Sequence, residues 1–377
     1  MNPARSPDSP ISPIEEIIEE ARNGRMYVLA DAQDRENEGD LVIPAQFATP
    51  AQVNFMAKHG RGLICLALTS ERARRLRLQM MTNRNETAHQ TAFTVSIEAR
   101  EGVSTGISAH DRAHTISVAI DETKGPQDIV SPGHVFPLVA KDGGVLVRAG
   151  HTEAAVDISR MAGLYPAGVI CEIMNDDGSM ARMPDLMDFA AVHGLKIGTI
   201  ADLIAYRRKH DRLVERRVET RIDTVYGAGF RLVVYRNVLD GSEHVALVRG
   251  RIDAERATLV RMHKVEFATD VLGERGPRAG LAGAAMRAIA ENSAGGVIVF
   301  VRETDPNALS RHFAGETQDD ERQVKALREY GIGAQILRDL GVRRMILLTN
   351  TAQKIVGLDG YGLMVEDRRP IDVEEER

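Results

Sequence analysis

Apolar residues recur at helical spacing in the first part of the chain that has a regular pattern. Ile14, Ile17, Ile18 and Ala21 lie three or four positions apart and Gly24 follows, so the pattern predicts an amphipathic helix that ends near this glycine. Uninterrupted apolar runs then alternate with stretches of helical periodicity. The candidate strands are 26–30, 41–43, 62–68, 91–98, 145–147 and 168–174, and the candidate helices are 70–77, 109–118, 152–162, 184–193 and 199–209. This alternation predicts a mixed α/β domain.

The composition changes near residue 207, where arginine and lysine become frequent. We interpret the basic run 207–217 as the end of a helix followed by a connector. Further candidate strands follow at 230–235, 245–249, 258–262, 296–301 and 344–348, with helices at 279–292 and 322–340. The predicted fold class is therefore α/β (α+β) with two mixed domains. The expected boundaries are a disordered N-terminus at 1–13, domains at 14–206 and 220–370, a linker at 207–219 and an acidic tail at 371–377.

The composition narrows the functional classes. The chain has 377 residues and a formal net charge of −6, which argues against a nucleic-acid partner because such proteins usually present a basic face. Its two cysteines, Cys65 and Cys171, exclude a disulfide framework and a cysteine-rich zinc module, and we expect the reducing cytoplasm. No signal peptide is evident, and no apolar run approaches the roughly 20 residues that span a bilayer, so we expect no membrane association.

The segment 31–40 is the most informative part of the chain. It places five acidic side chains within ten residues, and the apolar runs 26–30 and 41–43 flank it. The pattern predicts a strand, an acidic loop and a second strand. Because crowded carboxylates repel one another, a fold rarely brings them together without a cation, and hard divalent ions prefer oxygen ligands. The alternative is an ordinary solvated acidic loop.

A second informative segment is 148–157. We expect a strand at 144–148, then Gly150 and the start of a helix, an arrangement that suits an anion because free N–H groups and the helix dipole point outward. Arg148 adds a planar cation, Thr152 can cap the helix or donate to phosphate, and His151 can ligate a metal or move a proton. The alternative is a capped helix with an exposed histidine.

Three further features carry candidate acid–base or hydroxyl groups. His134 is expected in a loop, where it can act as an acid or a base or be an ordinary loop histidine. Glu172 lies in an apolar strand, so it is either a costly buried carboxylate with a catalytic role or the solvent-facing residue of an alternating strand. The loop 102–108 suits phosphate or sugar contacts but equally a plain turn. Together these features fit metal-assisted proton abstraction beside the carbonyl of a small sugar phosphate.

Five motifs in this order resemble 3,4-dihydroxy-2-butanone 4-phosphate synthase, an enzyme of riboflavin biosynthesis. They are DRENEGD at 34–40, TAFTV at 91–95, STGIS at 104–108, GHVFP at 133–137 and RAGHTEAAVD at 148–157. The resemblance covers residues 14–206. It implies Mg²⁺-dependent conversion of D-ribulose 5-phosphate into L-3,4-dihydroxy-2-butanone 4-phosphate and formate, by a homodimer whose active sites lie near the subunit interface.

The resemblance also implies roles for individual residues. Glu36 and His151 would hold a pair of Mg²⁺ (or Mn²⁺) ions, and His134 and Glu172 would be the essential acid–base groups. The phosphate would lie near Arg148 and Thr152. The implied substrate contacts are Arg35, Glu36, Asp40, Arg148, Ala149, Gly150, His151, Thr152 and Glu172.

Residues 220–370 resemble GTP cyclohydrolase II, most clearly at 328–341 and 347–350. That family binds catalytic zinc through three cysteines, whereas the corresponding stretch here begins at His263 and contains none, and no cysteine follows Cys171. Arg328 of the family's catalytic pattern is retained, but Ala326 replaces an aspartate. We therefore expect no zinc, no GTP hydrolysis, and only a weak metal motif in His263 and Glu266.

The leading interpretation is a monofunctional lyase with a degenerate second domain. Three alternatives remain open. The first is a bifunctional enzyme with a residual nucleotide-directed activity in the second domain. The second is an allosteric sensor that binds GTP without turnover. The third is a scaffold without enzymatic activity, which would retain the motifs of the first domain without their chemistry. The sequence also leaves open whether Cys65 belongs to the first site or only to the packing.

Overall fold

The computed structural model describes residues 11–82, 84–87, 89–304, 307–315, 331–350 and 361–372. Some predictions concern residues outside these ranges. They include most of the expected disordered N-terminus (residues 1–10), most of the acidic tail (residues 373–377), and Ala326 and Arg328. The chain divides into two compact units between residues 207 and 208. Each unit contains a mixed sheet with helices, so the predicted fold class is confirmed.

The first unit mixes strands and helices as the apolar pattern predicts, but the candidate strands do not include Ile129–Val139 or Ile197–Thr199. Its strands are β1 (Tyr27–Ala30), β2 (Gly39–Pro44), β3 (Cys65–Leu68), β4 (Ile97–Ala99), β5 (Ile129–Val139), β6 (Ala167–Glu172) and β7 (Ile197–Thr199). Its helices are α1 (Ile14–Arg22), α2 (Pro50–Phe55), α3 (Ser70–Arg75), α4 (Ala109–Ile120), α5 (His151–Met161), α6 (Met183–His193) and α7 (Ile200–His210). A π-helical turn, Met56–Gly60, continues α2.

These strands form one sheet in the order β4-β5-β3-β6-β2-β1-β7. The pairs β3–β5 and β1–β7 are parallel, and the other neighbouring pairs are antiparallel. Helices cover both faces: α2, α4 and α6 pack on one face, and α1, α5 and α7 on the other. Because both faces are buried, the central strands are continuous apolar runs rather than alternating patterns.

Alternation along the central strands decides which side chains point toward α5. Val42, Cys65 and Ile170 belong to the core under α1 and α5, whereas their neighbours Leu41 and Cys171 belong to the core on the opposite face. Successive side chains in a strand point to opposite faces, so Asp40 and Glu172, each two residues from a member of the α5 core, share its face.

Two local predictions differ from the structure. Residues 144–146 form a 3-10 helix rather than a strand, because Gly143 and Gly144 both adopt positive φ and Val145 donates its N–H to the buried carboxylate of Asp157. The expected strand 91–98 is reduced to β4, preceded by isolated bridges at Phe93 and Thr94. A short apolar run does not distinguish a strand from a buried turn.

The second unit contains another mixed sheet. Its strands are β8 (Val214–Thr224), β9 (Gly227–Asn237), β10 (Glu243–Arg249), β11 (Ala257–Val265), β12 (Gly296–Arg302), β13 (Arg344–Leu348) and β14 (Met364–Arg369), in the order β14-β13-β11-β12-β10-β9-β8. Its helices are α8 (Phe267–Asp270), α9 (Leu281–Glu291) and α10 (Ala308–Ala314), and residues 331–339 are also helical. Within the described residues, no helix combines the length and apolar character that crossing a membrane requires.

The basic run near the unit boundary contains one buried arginine. Residues 207–219, expected to form a linker, include the end of α7 and the first half of β8. Arg207 lies on α7, where its guanidinium donates to Asp157 Oδ2 at 2.6 Å and to the carbonyl of Gly143 at 2.9 Å. A Cβ on Gly144 would overlap both side chains. Arg207 and Asp157 therefore form a buried ion pair that fixes the 3-10 turn before α5.

We predict that Arg207→Ala lowers the free energy of unfolding by about 3 kcal/mol, because it leaves the buried Asp157 carboxylate with only the more exposed Arg160, whose Nη1 lies 3.4 Å from Asp157 Oδ1. Urea-induced unfolding followed by circular dichroism measures the change. Arg217→Ala is the matched control, since Arg217 is exposed on β8 and its loss should cost less than about 0.5 kcal/mol. Equal stabilities of the two variants would contradict the structural role of Arg207.

Candidate active site

The acidic segment forms the loop of a β-hairpin, as the apolar runs on either side predict. Strands β1 and β2 pair antiparallel, with Leu29 opposite Asp40 and Ala30 opposite Gly39. Asp31, the first loop residue, accepts the N–H groups of Glu36 at 3.2 Å and Glu38 at 2.9 Å. These bonds fold the loop back over its own first carboxylate.

An arginine from outside the loop holds its far side. Arg182, directly before α6, donates to the backbone carbonyl of Glu36 at 2.8 Å and also to that of Asn37. Asn37 adopts a left-handed conformation at φ 55°, which asparagine tolerates better than most residues. The position of Glu36 is therefore fixed by backbone contacts on both sides.

Three potential metal ligands converge at this loop. Ligand atoms of Asp31, Glu36 and His151 all lie within 4.8 Å of one another. The guanidinium of Arg35 lies against the two carboxylates, donating to Asp31 Oδ2 at 2.8 Å and to Glu36 Oε2 at 2.6 Å. The structure thus brings together the predicted ligands Glu36 and His151, and it adds Asp31, to which the sequence analysis gave no ligand role.

The ring of His151 has a defined tautomer. Its Nε2 lies 3.2 Å from the carbonyl oxygen of Leu29, which can only accept, so Nε2 carries the proton. Nδ1, unprotonated in this tautomer, lies 3.9 Å from Glu36 Oε2 and 3.7 Å from Asp40 Oδ1. Burial lowers the pKa of His151, which favours the neutral ring that a metal ligand must be. The expected alternative, an exposed histidine on a capped helix, is excluded because His151 is buried.

Asp40 and Glu172 form a carboxylate pair beside this cluster. They lie directly opposite each other on β2 and β6. Burial, followed by the charges of Glu172 and Glu36, raises the pKa of Asp40 well above its usual range. Its Oδ1 has no hydrogen-bond partner among the described residues. Glu172 is partly buried and accepts the N–H of Leu63 at 2.8 Å.

His134 lies on the same face of the sheet but outside this cluster. It is in β5 rather than in the expected loop, because the glycine and proline residues around it are accommodated in a long, partly exposed strand. Strand β3 lies between β5 and β6. Because neighbouring strands are about 5 Å apart, His134 and Glu172 are separated by about 10 Å across the sheet. Its ring instead contacts Glu98. Within the chain, the structure does not bring the two expected acid–base groups into contact.

The segment 148–152 provides the predicted helix N-terminus. Gly150 is the N-cap of α5, so the first N–H groups of this helix have no intrahelical acceptor. Arg148 donates to Glu153 Oε2 at 2.6 Å, to Thr91 Oγ1 at 2.9 Å and to the carbonyl of His89. Thr152 is buried at the first turn, and Ala149 lies between Arg148 and the cap. Arg148 is thus held in place mainly by protein groups.

The loop 102–108 is organised by an aspartate that the sequence analysis did not identify. Asp111, on the first turn of α4, accepts the N–H and the hydroxyl of Ser104 at 3.1 and 2.8 Å and the N–H of Gly106 at 3.0 Å. These bonds lower the pKa of Asp111 to about 2. One of the three loop hydroxyls, that of Ser104, therefore stabilises the turn itself.

Cys65 belongs to the packing rather than to the reactive groups of the site. It lies on β3 opposite Phe136 and Ile170, in the core under α5. Burial, with the nearby charges of Glu172 and Asp40, raises the pKa of its thiol. Burial likewise raises the pKa of Cys171 to about 12. Both cysteines are therefore thiols rather than nucleophilic thiolates.

In the second unit, ion pairs occupy the stretch around His263. His263 Nε2 lies 3.0 and 2.9 Å from the two oxygens of Asp270, and Arg278 Nε lies 3.1 Å from Glu266 Oε2. Lys264 pairs with Glu303 at 3.0 Å. Burial lowers the pKa of His263. His263 and Glu266, which were expected to form a weak metal motif, thus contact different partners in the described part of the chain, Asp270 and Arg278.

Comparisons with known proteins agree with this description. The family model of 3,4-dihydroxy-2-butanone 4-phosphate synthase matches residues 15–206, and that of GTP cyclohydrolase II matches residues 215–370. A 3,4-dihydroxy-2-butanone 4-phosphate synthase of Pseudomonas aeruginosa is 48% identical, covering 96% of this chain and 100% of the relative. The riboflavin biosynthesis protein RibBA of Aquifex aeolicus is 49% identical, covering 96% of this chain and 92% of the relative.

Solved structures support the same assignment. RibBX, a two-domain 3,4-dihydroxy-2-butanone 4-phosphate synthase from A. baumannii, aligns with a TM-score of 0.75 and 43% identity over 95% of this chain and 99% of that one. A 3,4-dihydroxy-2-butanone 4-phosphate synthase in complex with two magnesium ions aligns with a TM-score of 0.52 and 41% identity over 53% of this chain and 99% of that one. The chain belongs to the 3,4-dihydroxy-2-butanone 4-phosphate synthase family of riboflavin biosynthesis, with a second domain of the GTP cyclohydrolase II family.

Proposed function

We propose that the first domain converts D-ribulose 5-phosphate into L-3,4-dihydroxy-2-butanone 4-phosphate and formate in a Mg²⁺- or Mn²⁺-dependent reaction. The observation that carries this proposal is the convergence of Asp31, Glu36 and His151 within 4.8 Å, beside the buried pair of Asp40 and Glu172. Such a donor set suits a hard divalent cation that must also bind oxygen atoms of a polyhydroxy ketone.

The residues present fit such a cation. The donors are two carboxylates and a neutral imidazole whose Nδ1 is unprotonated, and Asp40 Oδ1 lies nearby as a buried acceptor without a hydrogen-bond partner in the described residues. The Arg35 guanidinium shows that positive charge is stabilised there. When bound, the cation would polarise the ketone and stabilise the enediolate. A related synthase was solved in complex with two magnesium ions, and we extend two cations to the site of this chain by the family resemblance.

The chain's own residues would bind the substrate and move its protons. The N-terminus of α5, with Thr152 and the remaining donor capacity of Arg148, would bind the phosphate. Glu172 lies on the same face and would exchange a proton with the carbon beside the ketone. Asp40, whose pKa is raised by burial and by the neighbouring carboxylates, would contact the substrate beside Glu172. His134 would be the second acid–base group.

We predict that formate release from ribulose 5-phosphate requires Mg²⁺ or Mn²⁺ and is lost in the presence of a chelator. Loss of a residue that only supports a metal ligand lowers metal affinity or activity by about 10- to 100-fold. Because Glu36 is proposed as a direct ligand, Glu36→Gln should lower kcat/KM by at least about 100-fold. Asp34→Asn is the matched control, because Asp34 is an exposed acid of the same loop. Chelator-resistant turnover, or equal losses in the two variants, would contradict the assigned cation site.

We also propose that the second domain is inactive as a GTP cyclohydrolase II and has a structural or regulatory role. No cysteine follows Cys171 in the sequence, so thiolate ligands for a zinc ion are missing from this domain. The second candidate is a bifunctional enzyme, favoured by the family match over 215–370 and by the RibBA relative.

The two candidates for the second domain make opposite predictions. We expect no GTP turnover and less than stoichiometric zinc in a preparation that releases formate, even after incubation with added zinc. Nucleotide product analysis and metal content by mass spectrometry measure both quantities. Zinc-dependent release of formate from GTP by the purified chain would refute the inactive second domain and support the bifunctional enzyme.

The homodimer, the location of its active sites near the subunit interface and the cytoplasmic compartment are likewise part of this proposal. They follow from the family resemblance of residues 14–206. The exposure of His134 and its distance from Glu172 within the chain support a site that a second subunit helps to complete.

A further inference from the structure

The imidazole of His134 contacts a carboxylate that no sequence motif singled out. Both oxygens of Glu98 lie 3.3 Å from His134 Nδ1. The side chain of Glu98 is 14% exposed on β4, whereas that of His134 is 42% exposed on β5. Glu98 is therefore a largely covered group behind an accessible ring, and Nε2, on the other side of the ring, is left for another partner.

The carboxylate of Glu98 is confined by a glycine loop. A Cβ on Gly106 would overlap this carboxylate, and Gly106 adopts φ 87°, a conformation that side chains rarely tolerate. The N–H of Gly106 donates to Asp111, which also accepts the N–H and hydroxyl of Ser104. The start of α4 thus anchors the loop that lies against Glu98.

The two strands that carry the pair are also held together closely. A Cβ on Gly133 would overlap the carbonyl of Ile97, and the N–H of Gly133 donates to Ser96 Oγ at 3.1 Å. Gly133 and Ile97 directly precede His134 and Glu98 in the sequence. The irregular pairing of β4 with β5 at this point turns Glu98 toward the ring.

We propose that Glu98 is a positioning residue for His134. As an acceptor at Nδ1, it fixes the tautomer in which Nε2 is unprotonated, and its charge stabilises the imidazolium that forms when Nε2 takes a proton. This inference rests on the proposed function, in which His134 is an acid–base group. A merely structural pair at this exposure would contribute little to stability and would not affect the chemical step.

The tautomer can be read directly by NMR, without any assay of activity. In the full-length protein labelled with ¹⁵N-histidine, long-range ¹H–¹⁵N spectra distinguish the two ring nitrogens, and His134→Gln identifies the His134 signals by their absence. We expect a protonated Nδ1 in the wild type. Glu98→Gln should depopulate this tautomer, whereas Glu101→Gln, which removes an exposed carboxylate shortly after β4, should leave it unchanged.

The kinetic arm uses the same variants in the formate assay. Because Glu98 touches His134 rather than substrate, Glu98→Gln should lower kcat by about 10- to 100-fold and leave KM unchanged. Glu101→Gln should retain wild-type kcat. A change in KM alone, or equal kcat values in the two variants, would overturn the positioning role.

The two arms separate this inference from the proposed function. An active wild type whose His134 tautomer is unaffected by Glu98→Gln would overturn the inference alone. Full activity of His134→Gln would also overturn it, because there would be no catalytic histidine to position. A wild type without formate release would refute the proposed function and, with it, the catalytic meaning of the pair, whatever tautomer the spectra show.

Discussion

Repulsion among closely spaced carboxylates is the constraint around which the first domain is organised. Burial and the charges of Glu172, Glu36, Glu38 and Asp31 act together to raise the pKa of Asp40. Two unit charges about 4 Å apart interact by about 4 kcal/mol at the effective dielectric of a protein surface. Arg35 offsets part of this cost through its two ion pairs. A divalent cation bound here would offset more of this repulsion and would thereby stabilise the folded protein.

The surrounding fold keeps these groups from moving apart. The β1–β2 hairpin carries the acidic loop, β6 places Glu172 opposite Asp40, and α5 brings His151 over them. The entry to α5 depends in turn on the buried pair of Arg207 and Asp157, which fixes the preceding 3-10 turn. A change at the end of α7 therefore affects the orientation of the helix that carries His151.

Much of this arrangement could be predicted from the sequence, because its determinants are local. The apolar runs on either side of residues 31–40 predict the hairpin, and the spacing of Ile14, Ile17 and Ile18 predicts α1. The contribution of Asp31 could not be predicted, because it depends on hydrogen bonds that fold the loop back on itself. The roles of Asp111 and Glu98 arise from contacts between segments. In the second domain, absent cysteines could be seen in the sequence, but the pairing of His263 with Asp270 required the structure.

The most direct test of the central claim is a Mn²⁺ titration of the full-length protein followed by electron paramagnetic resonance, which reports free Mn²⁺. We expect binding to the wild type and to Asp34→Asn, and at least about tenfold weaker binding to Asp31→Asn and Glu36→Gln, a change of about 1.4 kcal/mol each. Equal affinities of all four proteins would show that the acidic hairpin is not the cation site, and the account of the first domain would then be wrong.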